Sequence, residues 1–169
     1  MDERPGTPPH TAPWRLRPAV AADVEAIAEL RATVLRADLE RLGRYDGHRV
    51  RQRLRDAFDP RHTSVVAVGR ELAGCVTVRP ADDGRRWLEN FYLAPRHQGR
   101  GIGTAVLRGV LARADADGVP VVLYVLRGSA ARRLYERHGF VLEAEEPVDD
   151  VMARPVRQPS QAPQAPQSR

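Results

Sequence analysis

The chain has 169 residues, enough for one domain with its own core, and 42% of them are hydrophobic, as in an ordinary globular protein. The formal charge is +5, but every basic residue is an arginine and the arginines are scattered along the whole chain, which argues against a nucleic-acid-binding stripe. A single cysteine excludes an internal disulfide, the five histidines show no metal spacing, so no metal is expected, and no apolar run is long enough to span a membrane.

The first twelve residues and the segment 155–169, PVRQPSQAPQAPQSR, are rich in proline and polar residues and read as disordered tails, leaving 13–154 as the folded part. The opening MDERPGTPPH has neither the basic nor the apolar segment of a signal peptide, so a cytoplasmic location is expected. WRLRPAV is a short strand. Asp23 marks a helix start, and Val24, Ile27, Leu30 and Val34 give that helix an apolar stripe until Gly43. A second, basic helix follows Asp46, with Val50, Leu54 and Phe58 four residues apart, and Pro60 stops it. SVVAVG and LAGCVTVRP are strands joined by a turn at 69–71, and Cys75 lies in the second as a core residue rather than a nucleophile. Asp82-Asp83-Gly84 is a further hairpin turn before the strand RRWLENFYLAP. A helix then runs from about Gly101 to Asp117, VVLYVL is a buried strand, SAARRLYERHG is a helix with a glycine stop, and FVLEAEE and DVMARPV are the last strands. The order is β α α β β β α β α β β. The strand–helix–strand unit at 85–126 implies a parallel pair with a right-handed crossover.

Residues 96–108, RHQGRGIGTAVLR, need a reason. Glycines at 99, 101 and 103 cost backbone entropy, and they stand where a strand gives way to a helix. The first amides of a helix lack internal partners and lie at the positive end of its dipole. Glycines there let an anion reach the main chain, as phosphates do, and Arg100 adds charge. A Walker loop is excluded because the chain has no lysine. A dinucleotide fingerprint is excluded because its third glycine is Thr104 or Val106, depending on where the count begins. Gln/Arg-x-x-Gly-x-Gly/Ala fits in full at 98–103.

With this motif, the strand FYLAP before it and AARRLYERHGF after one helix and one strand, the chain resembles the GNAT superfamily of N-acetyltransferases over nearly all of 13–154. The resemblance implies an α/β fold: a mixed central sheet of about seven strands with a splayed parallel pair, flanked by about four helices. It implies that acetyl-CoA is the co-substrate and an amine the acceptor. Phe91, Tyr92 and Leu93 would line the pantetheine arm, with the Leu93 amide facing the thioester oxygen. Gln98, Gly99, Arg100, Gly101, Ile102, Gly103 and Thr104 would hold the pyrophosphate. Family position gives Tyr135 the protonation of the departing thiolate, and Leu134 is read as the core residue beside it. Glu89, counted on the same strand parity as Phe91 and Leu93, is a candidate base or clamp for a cationic acceptor. Trp87 stands where some histone-type members carry their catalytic glutamate, a departure from that mechanism. Gly128 stands where many relatives have asparagine, and Ser129 beside it is a candidate helix cap and coenzyme contact. Acceptor recognition would come from the first two helices and their connection, where Arg44, Arg49, Arg51, Arg53 and Arg55 read as a solvated surface or, alternatively, as supplying one or two residues that bind a carboxylate or phosphate of the acceptor. A small-molecule amine is the expected acceptor. Alternatives are a protein N-terminus or lysine, an aminoacyl-tRNA, or a non-catalytic acetyl-CoA-binding sensor or interaction module on the same fold. The resemblance also admits a homodimer.

Overall fold

The element order follows the hydrophobic pattern from end to end. The computed structural model describes residues 13–157, so the two tail assignments fall, but for 155–157, outside the described residues. The elements are β1 (Trp14–Pro18), α1 (Val24–Arg41), α2 (Gly47–Ala57), β2 (Thr63–Val68), β3 (Glu71–Pro80), β4 (Arg86–Leu93), α3 (Ile102–Ala116), β5 (Val121–Leu126), α4 (Ala131–Arg137), β6 (Val141–Glu145) and β7 (Asp149–Arg154), with short 3-10 turns at Ala21–Asp23, Pro60–His62 and Pro95–His97. The strands form a mixed seven-stranded sheet in the order β1-β2-β3-β4-β5-β7-β6. The expected parallel pair is β4–β5, with Arg86, Trp87 and Leu88 opposite Val121, Val122 and Leu123. Four helices accompany the sheet, as expected.

The chain divides into two compact units. The first comprises the residues up to Val78 and Glu89–Gly103. Asp46 caps α2 by accepting from the Arg49 amide at 2.9 Å, a contact that satisfies one orphan donor of the first turn. The core of this unit joins Ile27, Ala28 and Leu30 of α1, Leu54 of α2, Val65 of β2, Cys75 of β3 and Ala94, with Val34, Phe58, Leu72 and Tyr92 packed against them. Arg51 and Arg55 of α2 clasp Glu29 and Glu25 of α1 with paired hydrogen bonds of 2.6–2.9 Å. These two arginines are therefore occupied in joining the helices, which withdraws them from the expected acceptor contacts.

The second unit comprises Arg79–Leu88 and the residues from Thr104 onward. Val106, Leu107, Leu111 and Ala114 of α3 are buried, as are Val121 and Leu123 of β5 and Met152 of β7. The strand VVLYVL is not buried throughout. Tyr124 is 49% exposed, and its ring stacks on Trp87 with centroids 4.9 Å apart and planes 7° from parallel. Arg154 at the end of β7 is 4% exposed. It donates two 2.8 Å hydrogen bonds to Asp115 of α3 and a third, at 3.1 Å, to the His138 carbonyl.

That fork holds the Asp115 carboxyl below its ordinary range, chiefly through the Arg154 hydrogen bonds. Asp115 thus ionises more readily in the folded chain than in the unfolded one. The pair stabilises fully above the unfolded carboxylate pKa of about 4, and this contribution is lost as pH falls through the lower folded value. Arg154→Met is expected to lose about 3 kcal/mol at neutral pH, and pairing it with Asp115→Leu should recover most of that loss. Urea unfolding of the three chains between pH 3 and pH 7 checks both the magnitude and the sign.

Candidate functional site

Within the first unit, β4 and the loop after it collect most of the residues named from the sequence. β4 is not a regular strand. Asn90 has φ of 47°, in the left-handed region that asparagine tolerates better than most side chains. The break is held from several sides. The Cys75 thiol donates to the Asn90 carbonyl at 3.0 Å. The Asn90 amide nitrogen reaches Thr77 Oγ1 at 3.4 Å, Thr77 Oγ1 meets Thr63 Oγ1 at 2.9 Å, and Thr63 donates to the Asp59 carbonyl at 2.9 Å. A chain of donors ending on a carbonyl has one direction, and it turns Asn90 Oδ1 toward Arg31 of α1, whose Nη1 donates to it at 3.1 Å. Because alternation is interrupted at Asn90, parity counted from Glu89 to Phe91 does not carry across, and the strand argument for Glu89 falls. Glu89 itself is half-buried.

Beyond the break, Phe91 and Tyr92 are half-buried and Leu93 is buried. The Phe91 ring comes within 4.0 Å of the point where a Cβ on Gly103 would lie. Tyr92 packs against the core cluster with Ile27 and Leu54. Gln98 turns back and donates its side-chain amide to the Leu93 carbonyl at 2.8 Å, fixing the loop to the strand end. Gly99 and Gly101 have φ of 71° and 81°, and a Cβ on either would meet nothing within 4 Å. Glycine is therefore required by conformation, and the space beside the main chain is open. α3 begins at Ile102 with its first amides free of internal partners. Ile102 is buried and Gly103 half-buried. Arg96 is neutralised by Glu71, which also lies 3.2 Å from His97 Nε2. Among the described residues, Arg100 has no such partner and adds its charge to an exposed loop. Two open glycines, a helix start and the Arg100 side chain thus lie within one short loop, an arrangement that fits a diphosphate.

Thr104, Ser129 and Tyr135 belong to the second unit. Ser129 Oγ accepts from the Ala131 amide at 3.3 Å, but Ala130 holds the N-cap of α4 without a side-chain cap, so Ser129 closes a local turn one residue ahead of the cap position expected for it. Gly128 beside it has φ of 75°. Tyr135, rather than the Leu134 read as the core residue, is the more deeply buried of the two. Tyr135 is 7% exposed and meets Phe140 edge-on at 5.6 Å, whereas Leu134 is only half-buried. Trp87, at the position of the departure noted above, is engaged by the Tyr124 stack and by Arg79, whose guanidinium lies 5.9 Å from its ring.

The GNAT acetyltransferase family model matches residues 25–140. The chain belongs to the GNAT acetyltransferase family. Solved structures share its fold at low identity. PaiA N-acetyltransferase from Thermoplasma acidophilum, in complex with coenzyme A, is 18% identical, with TM-score 0.70 over 85% of this chain and 99% of that one. The ribosomal-protein-S18-alanine N-acetyltransferase from Escherichia coli is 16% identical, with TM-score 0.65 over 88% and 97%. N-acetylglutamate synthase from Neisseria gonorrhoeae, complexed with coenzyme A and L-arginine, is 16% identical, with TM-score 0.63 over 86% of this chain and 34% of that longer one. No curated protein matches the chain. Among the described residues, no helix is long and apolar enough to cross a membrane.

Sequence reasoning missed Gly74, Asn90 and Arg31. A Cβ on Gly74 would stand 2.5 Å from the Tyr92 carbonyl oxygen and 2.8 Å from Leu93 Cδ1, so only glycine lets β3 lie this close to β4. Gly74→Ala is expected to lose about 2 kcal/mol, measurable as a lowered urea midpoint. Burial pushes the Cys75 thiol up to about 12. The native protein should therefore leave Ellman's reagent unreacted at pH 8, and guanidinium should release one equivalent. Rapid reaction of the native thiol would contradict this burial.

Proposed function

We propose that the protein transfers an acetyl group from acetyl-CoA to a primary amine. The observation that supports this reading is the loop 98–103, where two left-handed glycines with open space beside them lead into α3 next to Arg100, which has no carboxylate partner among the described residues. Acetyl-CoA supplies an acetyl group activated as a thioester. Gln98, Gly99, Arg100, Gly101, Ile102, Gly103 and Thr104 hold its diphosphate, largely through main-chain N–H groups. Phe91, Tyr92 and Leu93 line its pantetheine arm, and the Leu93 N–H stabilises negative charge growing on the acetyl oxygen. Ser129 adds a contact near the start of α4.

The reaction forms a C–N bond and breaks a C–S bond. The amine nitrogen gives up a proton, which Glu89 accepts directly or through water. The leaving sulfur takes a proton from the Tyr135 hydroxyl, so coenzyme A departs as a thiol. The acceptor is a small-molecule amine, and the reaction belongs to the cytoplasm.

The test is release of free thiol from acetyl-CoA across a panel of amines, with coenzyme binding followed by calorimetry. Gly101→Val should weaken acetyl-CoA binding by at least about tenfold, because φ of 81° strains a β-branched residue and the cradle is lost. Tyr135→Phe should lower kcat on the order of a hundredfold while leaving coenzyme affinity within a factor of about two. A chain that binds acetyl-CoA tightly and turns over no amine would be a coenzyme sensor instead. A chain with no affinity for acetyl-CoA would refute both readings.

A further inference from the structure

Most of the arginines that reach into the structure meet a carboxylate. Arg17 is forked onto Asp23, Arg51 onto Glu29, Arg55 onto Glu25 and Arg154 onto Asp115. Arg31 does not. It is half-buried on α1, one turn after the fully buried Ile27. Among the described residues its hydrogen-bond partner is the neutral Asn90 side chain, at 3.1 Å. Its Nε is out of contact with solvent and has no acceptor. A cation partly removed from water without a counter-charge is costly, and a neutral donor would serve Asn90 as well. Holding Asn90 therefore does not account for an arginine here.

The location supplies a reason. Asn90 and Phe91 are consecutive in β4 and reach in different directions. Asn90 meets Arg31 of α1, and Phe91 approaches Gly103 of the diphosphate loop. Arg31 is thus set apart from the coenzyme loop yet borders the same break in the strand. Nη1 is committed to Asn90, and Nη2 has no partner among the described residues, so the cation can still give a carboxylate a charge-assisted hydrogen bond.

We infer that Arg31 binds a carboxylate of the acceptor, so that the amine substrate is one that also carries a carboxylate, of the amino-acid class. The inference names the substrate for the acetyl-transfer reading and rests on it. It replaces Arg51 and Arg55 of α2, which are held by α1, with a residue whose charge meets no carboxylate among the described residues.

The experiment uses pairs of probes. Each L-amino acid is matched with the amine left by removing its α-carboxyl group, and both are titrated calorimetrically into the full chain saturated with coenzyme A. At least one pair should show a preference of about tenfold or more for the carboxylate-bearing member, the size expected for a hydrogen bond to a charged group. In Arg31→Gln that preference should fall below about twofold, and Arg31→Lys should restore part of it, because the charge returns without the fork. Thermal melting of Arg31→Gln should match or exceed that of the parent chain, since an uncompensated cation is removed. Equal binding within every pair, a preference that survives Arg31→Gln, or no binding by any probe would each overturn the inference. Thiol release from acetyl-CoA is read separately. A carboxylate preference that depends on Arg31, without turnover, would count against acetyl transfer and leave the site standing.

Discussion

One residue held in an unusual backbone conformation organises the first unit. Asn90 interrupts β4 with a positive φ, a strain of order 1 kcal/mol or more that persists only where the surroundings over-determine it. Here the surroundings are the Cys75 thiol, the Thr77–Thr63 hydroxyl chain and Arg31. The break divides the strand's neighbours: Asn90 goes to α1 and Phe91 to the glycine loop. Gly74 lets β3 follow β4 closely just beyond that point. The loop is in turn tied to the strand end by Gln98. A shift at Asn90 would therefore reach both the helix side and the loop side of β4.

Charge is handled differently in different places. With 27 arginines and no lysine, the chain has only rigid, permanently charged forks for ion pairing. Arg51 and Arg55 join two helices, Arg154 ties a strand end to α3, and Arg96 is quenched by Glu71. Arg100, in the loop, and Arg31, beside the strand break, lie outside this pairing. The net charge of +5 therefore says less than the positions of the cations left over.

Much of the architecture was legible because it is written locally. Apolar residues three and four apart marked α1, α2 and α3, alternation and β-branched runs marked the strands, and Pro60, Pro95 and the glycines marked the stops. The glycine loop was legible for the same reason, since a helix start and its conformational needs lie within a few residues of chain. What was missed depends on partners far away in sequence. Tyr124 finds its stacking partner in Trp87, and the buried Tyr135 its edge-on partner in Phe140. Gly74 looked like any glycine in a strand until the Tyr92 carbonyl came against it. Asn90 offered a faint signal as the one asparagine in a run of strand formers. Arg31 offered none, because its isolation is visible only once half-buried arginines such as Arg51 and Arg55 are seen on their carboxylates.

The burial of Cys75 has a consequence for redox chemistry. An enzyme that liberates coenzyme A produces a reactive sulfhydryl at every cycle, and an accessible cysteine nearby would be open to mixed-disulfide capture by that product. This chain has one cysteine, and its sulfur is enclosed, occupied by the Asn90 carbonyl and kept protonated. While β3 stays folded, neither a thiol such as coenzyme A nor an oxidant in solution has access to that sulfur.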